Sequence, residues 1–169
     1  MSTKLSPNFT MSELCTTSQD IINVPTAAAV TAGRDLAVQV LEVWRAGTET
    51  VRPSGALKVN SWYRSPAVNR AVNGSASSDH MKGRAADVKP VDGQLVAAWD
   101  SLVTLIRDHW LPVDQAIFYA RPKGGGWIHV SHRPANNRGE ILINYLDPDG
   151  KQKYVPYLSY RGPMIPLTR

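Results

Sequence analysis

Two short segments that lie far apart in the chain constrain its fold more than any other feature. His80 and Asp87 lie in the stretch 78–87, and His129 lies in the apolar pentapeptide Trp127-Ile128-His129-Val130-Ser131. Two imidazoles and one carboxylate are a typical catalytic zinc set, in which a fourth position stays open to water. The three side chains meet only if the chain turns back after His80 and His129 lies on a strand beside Asp87. We therefore expect these three residues to converge on one zinc ion.

The residues between the first histidine and the aspartate are small and favour such a turn. Gly83 permits a backbone conformation that other residues rarely adopt, and Ala85 and Ala86 leave room around a metal ion. We expect Asp87 to open a short strand over residues 87–90. A lone histidine would more often be a hydrogen-bonded core residue, but the combined pattern of the two segments is too specific for that interpretation.

Apolar periodicity predicts helices mixed with short strands. Thr10 and Glu13 have capping-box spacing, Ser65-Pro66 fits the start of another helix, and Gly47 is expected to end the longest helix. Helices are accordingly expected over residues 8–14, 27–45, 65–72 and 93–109. Strands are expected over residues 55–63, 87–90, 115–119 and 127–131.

The C-terminal part of the chain has a different character. Residues 141–146 and 154–158 are apolar and flank Asp147-Pro148-Asp149-Gly150, a strong turn signal. We expect a β-hairpin there, followed by an irregular, proline-rich tail over residues 161–169. The fold class that follows is α+β, with a small antiparallel sheet and helices packed on one side.

Composition narrows the partners and the compartment. The formal net charge of +5 and the pI of about 9.5 favour an anionic partner such as a cell-wall polymer. No run of Lys or Arg is long enough to indicate a nucleic-acid arm, and the single cysteine, Cys15, excludes an internal disulfide. The N-terminal residues contain no secretory signal, and no apolar run approaches the roughly 20 residues of a membrane span. We expect synthesis in a bacterial cytoplasm, without a membrane span.

Three further segments extend the pattern upstream. They are Leu5–Leu14, the tripeptide Asn23-Val24-Pro25, and the block Ser61-Trp62-Tyr63-Arg64-Ser65-Pro66-Ala67-Val68-Asn69. Together with the segments that carry His80, Asp87 and His129, they resemble the zinc D-Ala-D-Ala carboxypeptidases and L-alanyl-D-glutamate endopeptidases, which share the Hedgehog/DD-peptidase fold. The block resembles the Ser-x-Tyr-Arg-Ser-Pro-x-x-Asn motif of that family, and the entry segment is similar to its phage branch. The resemblance covers about residues 5–133.

The resemblance implies roles for individual residues. His80, Asp87 and His129 would be the zinc ligands. Arg64 would bind the substrate carboxylate or polarise the scissile carbonyl, with a surface salt bridge as the alternative interpretation. Ser78 would orient a ligand or touch the substrate, with a loop cap as its alternative, and Tyr63 is grouped with both as a substrate-binding residue.

The general base of the family has no counterpart at its usual positions. Many members carry a carboxylate three residues before the last histidine ligand, where this chain has Gly126. In the phage branch an acid often follows the Asp-Gln strand, and the comparable place here holds Tyr119. Asp114 and Asp79 are the nearest carboxylates in sequence, but neither matches the expected position. The base is therefore left unassigned, with these two as weak candidates.

Three functional interpretations follow. The first is a phage-type zinc peptidase that hydrolyses stem peptides of peptidoglycan, made without a signal and acting on the wall after lysis, as an endolysin. The second is a virion or tail protein that retains the fold and the metal site with weak or no activity. The third is a wall-binding module without catalysis. We divide the chain into a peptidase-like zinc domain, 1–133, and an extension, 134–169, that is expected to attach to other virion proteins.

Overall fold

A computed structural model describes residues 3–48, 55–121 and 125–159 of the chain. The described helices are α1 (Met11–Leu14), α2 (Ala27–Leu36), α3 (Glu42–Thr48), α4 (Pro66–Ala71) and α5 (Leu95–Arg107). The strands are β1 (Leu57–Ser61), β2 (Ala85–Pro90), β3 (Gln115–Tyr119), β4 (Trp127–Ser131), β5 (Glu140–Leu146) and β6 (Gln152–Pro156). Two short 3₁₀ turns, Asp79–Lys82 and Tyr157–Ser159, complete the regular structure.

One sheet of six strands organises the described residues, in the order β1-β2-β4-β3-β5-β6. Every neighbouring pair is antiparallel except β3 and β5, which run parallel. The expected α+β class is confirmed; the sheet, expected to be small and antiparallel, has six strands and one parallel pair. The strands expected over 115–119 and 127–131 have the predicted bounds.

The two faces of the sheet differ because side chains alternate along each strand. One face is apolar and joins the hydrophobic core through the side chains Ala86, Val88, Ala116, Phe118, Ile128, Val130 and Ile143. From the helices, Trp44 and Trp99 belong to the same core, and both are fully buried. Asp87 and His129 point to the opposite face, because each is one residue out of step with the apolar positions. The core therefore holds one side of the sheet and leaves the other side for the polar residues.

The long helix expected over residues 27–45 is present but is not a uniform α-helix. A π-helical turn, Ala37–Leu41, connects α2 to α3. The expectation that Gly47 ends the helix is wrong, because α3 continues to Thr48. A Cβ at position 47 would lie 3.0 Å from Leu105 of α5, so this glycine permits close helix packing.

Two predicted helix caps are confirmed. Thr10 and Glu13 form a reciprocal capping box at α1. Ser65 caps α4 by accepting a hydrogen bond from the Val68 N–H, with Pro66 at the first helical position. These short elements are fixed locally, as the sequence indicates.

Strand β2 begins two residues earlier than the sequence predicts. Asp87 does not open the strand, because pairing already begins at Ala85, which lies opposite Ser131. Ala85 and Ala86 are both fully buried, so their small side chains fit into the sheet instead of lining a loop. Asp87 is thus held from both sides by strand residues.

The C-terminal hairpin forms, but its second strand spans Gln152–Pro156 and not residues 154–158. In its turn, Asp147 Oδ1 accepts hydrogen bonds from the N–H groups of Asp149 and Lys151. Strand β5 extends the main sheet by pairing with β3, and Ile143 is fully buried. The tail expected over residues 161–169 lies outside the described residues, and the domain boundary at residue 133 stays a prediction. Among the described helices, none has the length and apolar character needed to cross a membrane.

Gly83 gives a first test of the fold, because it lies between His80 and β2 with a positive φ of 73°. A Cβ there would lie 2.2 Å from the Ala29 carbonyl oxygen of α2. We expect Gly83→Ala to lower the free energy of unfolding by about 1–2 kcal/mol for the left-handed backbone and by a further ~1–3 kcal/mol for the overlap. Urea unfolding measures the sum of the two losses in the free energy of unfolding.

The matched control is Gly139→Ala. Gly139 also has a positive φ, of 61°, but no atom lies within 4 Å of the position that its Cβ would take. Only the backbone cost should appear there. An equal loss of unfolding free energy in the two variants would show that the close contact with α2 does not contribute to the effect of Gly83→Ala.

Candidate metal centre

Three side chains form a compact triangle of potential metal ligands. His80 Nε2 lies 3.2 Å from His129 Nδ1, and His129 Nδ1 lies 2.9 Å from Asp87 Oδ1. The third side of the triangle, from His80 Nε2 to Asp87 Oδ1, measures 3.4 Å. Within the described part of the chain, these are the residues whose grouping could hold a metal ion. The structure therefore brings together the three residues that the sequence singles out.

Strand register and a tight turn place these ligands. Asp87 of β2 and His129 of β4 lie directly opposite each other, so both side chains project from the same face. His80 comes from the 3₁₀ turn Asp79–Lys82, which Gly83 ends in a left-handed conformation. The Arg64 N–H donates to the His80 carbonyl oxygen, which holds this turn against the end of β1.

Neighbouring groups fix the orientation of two of the ligands. His80 Nδ1–H donates to the Trp62 carbonyl oxygen at 2.6 Å, which leaves Nε2 free of its proton and directed at the triangle. Arg64 donates from a terminal guanidinium nitrogen to Asp87 Oδ2 at 2.5 Å and from Nε to Ser61 Oγ at 2.9 Å. Asp87 Oδ1 is thereby turned toward the histidines. Such outer contacts commonly orient metal ligands.

The protonation states suit a metal ion. Burial lowers the pKa of His80 and keeps its imidazole neutral, although the charge of Asp87 opposes this shift. Burial on its own would raise the pKa of Asp87, but the adjacent imidazoles hold that pKa well below its usual range. A neutral imidazole beside an ionised carboxylate is the state in which these groups bind zinc.

The triangle also has the dimensions of a zinc site. Four ligands at about 2.1 Å from a tetrahedral ion lie about 3.4 Å from one another. The observed separations of 2.9, 3.2 and 3.4 Å approach that value. With three protein ligands on one face of the sheet, a fourth position would face the open side. The residues present therefore fit a catalytic zinc ion better than a closed structural one.

The residues grouped for substrate binding occupy different surroundings. Arg64 points into the metal centre, and its side chain is 15% exposed. Ser78 Oγ accepts a hydrogen bond from the His80 N–H, which is the contact of a loop cap. Tyr63 is only 4% exposed and belongs to the hydrophobic core, so it offers almost no surface to a substrate.

Both weak candidates for the general base are held in ion pairs. Asp79 contacts Arg133 at 3.0 Å and Lys82 at 3.6 Å. Asp114 is fully buried and contacts Arg138 at 2.7 Å and Arg133 at 3.3 Å. Burial alone would raise the pKa of Asp114, but the hydrogen bonds from Arg138 lower it. A carboxylate stabilised in its ionised form by arginines is a weak base.

The two positions where the family carries its acid are also occupied differently. A Cβ at Gly126 would lie 2.3 Å from the Tyr119 carbonyl oxygen, so a side chain there requires the backbone to move. Tyr119 lies opposite Trp127 in β3, on the face that carries His129. Burial, the Tyr154 hydroxyl at 3.2 Å and the charge of Asp87 raise the pKa of Tyr119 well above its usual range. Its phenol is therefore protonated at neutral pH.

Several groups that support the site could not be predicted from sequence motifs. The Trp62 carbonyl orients His80, and the Ser61 hydroxyl orients Arg64. Both residues belong to the block 61–69, but the motif gives no sign of these contacts. Tyr154 approaches Tyr119 from β6, at the far end of the sheet. The alternation of side chains along β3 and β4 could have placed Tyr119 and Trp127 on the same face as His129. The contact between Tyr119 and Tyr154 of β6 could not be predicted, because no local sequence pattern indicates it.

The sequence model of the family described as Peptidase M15 matches residues 7–110, which is more than half of the chain. The chain belongs to the peptidase M15 family. This is the zinc D-Ala-D-Ala carboxypeptidase family, whose members are zinc-dependent metallopeptidases. The match includes Arg64, His80 and Asp87, while His129 lies beyond it. No curated protein matches the chain.

The metal centre predicts a specific loss of zinc. The purified protein should carry about one zinc ion per chain, and His80→Ala should lose it, because two remaining ligands hold zinc weakly. Elemental analysis after gel filtration measures the content. His109→Asn is the control, since His109 is exposed and its φ of 60° is one that asparagine tolerates. Full zinc retention in the alanine variant would contradict the assignment.

Proposed function

We propose that the chain is a phage-type zinc peptidase that hydrolyses peptide bonds in the stem peptides of peptidoglycan. The observation that carries the proposal is the triangle of His80, Asp87 and His129 on the open face of the sheet, in a member of a zinc peptidase family. The positive net charge supports an anionic wall as the partner. The similarity of the segment Leu5–Leu14 to phage enzymes supports the phage origin.

In this proposal His80, Asp87 and His129 hold the zinc ion. When bound, zinc polarises a peptide carbonyl and lowers the pKa of a water molecule that it binds. The protein contributes the fixed geometry, because the cross-strand pair of Asp87 and His129 cannot shift without breaking strand register. His80 is held separately by the Trp62 carbonyl.

Arg64 serves two tasks in this arrangement. Its bond to Asp87 orients that carboxylate and neutralises part of its charge. The side chain still has 15% of its surface exposed, so another of its N–H groups can donate to a substrate carbonyl or carboxylate. A lysine could not replace both contacts, because it lacks the planar fork of guanidinium donors.

Tyr119 is proposed to act as a hydrogen-bond donor in place of the usual carboxylate. Its raised pKa keeps the proton on the phenol, so it cannot accept the proton of the attacking water. A phenol on the face of His129 can instead donate to the oxygen on which negative charge develops. The general base remains unassigned, and general base catalysis is typically worth about 10²- to 10⁴-fold in rate. Slow hydrolysis is the expected consequence.

The ion pairs of the nearby carboxylates favour one alternative function. A virion or tail component could keep the fold and the zinc site with weak or no activity. Asp79 and Asp114 are both paired with arginines, which supports this alternative. Residues 134–169 would then attach the protein to a neighbouring virion protein. The rate of stem-peptide hydrolysis distinguishes an active peptidase from a virion component of this kind.

The proposal is tested by incubating the zinc-loaded protein with purified peptidoglycan and with a soluble stem peptide. Mass spectrometry of the products should show cleavage of one type of peptide bond. His129→Ala should abolish the cleavage, because it removes a ligand, whereas His109→Asn should leave it unchanged. Intact substrate after prolonged incubation with a fully zinc-loaded protein would favour the virion alternative.

Position 119 provides a sharper prediction about the missing base. Tyr119→Glu places a carboxylate where the phage branch carries one, and the rate on a stem peptide should rise by up to about 10²-fold. Tyr119→Phe is the matched control, because it keeps the ring and removes only the hydroxyl. Its rate should fall about tenfold or more if the phenol donates to the developing oxyanion.

Initial rates across pH should also change for Tyr119→Glu. The new carboxylate is expected to add a limb in which activity rises with pH, as its proton is lost. A glutamate variant no faster than the phenylalanine variant would mean that the base is supplied from another place.

A further inference from the structure

The open face of the sheet carries a second row of side chains beside the metal centre. Two residues before His129 along β4, the same face presents Trp127, and the opposite residue of β3 is Tyr119. Two residues after Asp87 along β2, it presents Lys89, which lies directly opposite Lys58 of β1. Two residues of strand correspond to about 7 Å. This row therefore runs parallel to the metal ligands at that distance.

Lys58 and Lys89 form an unfavourable cross-strand pair. Like charges directly opposite each other on neighbouring strands destabilise a sheet. Among the residues that the structure describes, no carboxylate forms an ion pair with either lysine. The Lys89 ammonium donates to the Gly125 carbonyl oxygen at 3.4 Å, which brings it to the start of β4. The pair is a local cost that a bound anion would offset.

Arg121 places a third cation beside Tyr119 and Trp127 of this row. Its guanidinium lies 5.3 Å from the ring centroid of Tyr119 and 5.2 Å from that of Trp127. The two rings stack on each other with a centroid separation of 4.5 Å, and the guanidinium lies about equally far from both. One guanidinium nitrogen donates to the Ala120 carbonyl, and none of the described carboxylates pairs with Arg121. The remaining N–H groups of the fork are available to a ligand.

Glu140, an acid on this face, lies on the other side of the metal centre from the cationic side chains. Glu140 lies beside Gln115, two residues before Ile117, whereas Tyr119 lies two residues after it. Glu140 is also bound by Arg138 at 3.2 Å and by the Gln115 amide. The face is thus electrically asymmetric. On one side of the ligands lie three cations that no described carboxylate pairs with, and on the other side lies a paired acid.

We propose that Lys58, Lys89 and Arg121, here called the cationic row, bind a free carboxylate of the substrate about 7 Å from the metal centre. The inference rests on the proposed peptidase function and adds the polarity of the bound peptide. A peptide extends by at most about 3.3–3.6 Å per residue, so the carboxylate belongs about two residues from the scissile bond. Arg64 shares its charge with Asp87, so the cationic row supplies the additional positive charge that a free carboxylate requires.

The test compares two probes, a soluble stem peptide with free carboxylates and the same peptide with carboxamides in their place. Calorimetric titration of the zinc-loaded protein at low ionic strength measures the Kd of each. The free-carboxylate peptide should bind about tenfold more tightly or better. Lys89→Gln and Arg121→Gln should each weaken its binding about tenfold and change the carboxamide peptide less than about twofold.

Lys151→Gln is the matched control, because Lys151 is exposed in the hairpin turn, away from this row. It should leave both Kd values unchanged. Equal affinity of the wild type for the two peptides overturns the proposal, as does undetectable binding of the acidic peptide at millimolar concentration. A loss with Lys151→Gln as large as that with Lys89→Gln would also overturn it, since it would indicate only a diffuse charge effect.

Mass spectrometry of the titrated samples separates this inference from the function on which it rests. Charge-dependent binding without cleavage would support the cationic row and contradict peptidase activity. Cleavage without discrimination between the two peptides would support the peptidase and contradict the cationic row.

Discussion

Asp87 is a carboxylate buried in the middle of a sheet, and a buried charge is tolerated only where other groups compensate it. One oxygen faces the imidazoles of His80 and His129, and the other accepts from Arg64. Each of these partners needs its own support, which comes from the Trp62 carbonyl, the register of β4 and the Ser61 hydroxyl. Removing one partner of such a buried set typically costs about 3–5 kcal/mol. These contacts connect the end of β1, the His80 turn and β4 to a single carboxylate of β2.

The sequence predicts the parts of the site that depend on residue type and short-range pattern. His80, Asp87 and His129 could be grouped because few other functions need that combination, and the strand around His129 could be recognised from its alternation. Gly83 could be recognised as a turn residue, but its contact with the Ala29 carbonyl could not, since α2 lies far away in sequence. The general rule is that chemistry and local conformation are encoded locally, whereas contacts between distant elements are not.

The ion pairs around Arg133 show why the remaining features could not be predicted. Asp79, next to the ligand His80, and Asp114, at the start of β3, share this one guanidinium. Arg138 then binds Asp114 from the segment that leads into β5. As isolated carboxylates in the sequence, both aspartates are plausible bases. Only the folded chain shows that both are held in ion pairs, which connect the His80 turn to the segment before the hairpin.

Tyr119 illustrates how one position can exchange one kind of chemistry for another. A carboxylate there would feel the charge of Asp87 and would be partly desolvated, and both effects raise the pKa of an acid toward the range that a general base needs. The phenol avoids this repulsion, because it stays neutral, and it gains a stacked contact with Trp127 and a hydroxyl contact with Tyr154. The chain thus holds a neutral, stacked phenol on the face of the metal ligands, at a position where burial and the charge of Asp87 disfavour a negative charge. Stability at this position and proton transfer at neutral pH therefore make opposite demands on the same side chain.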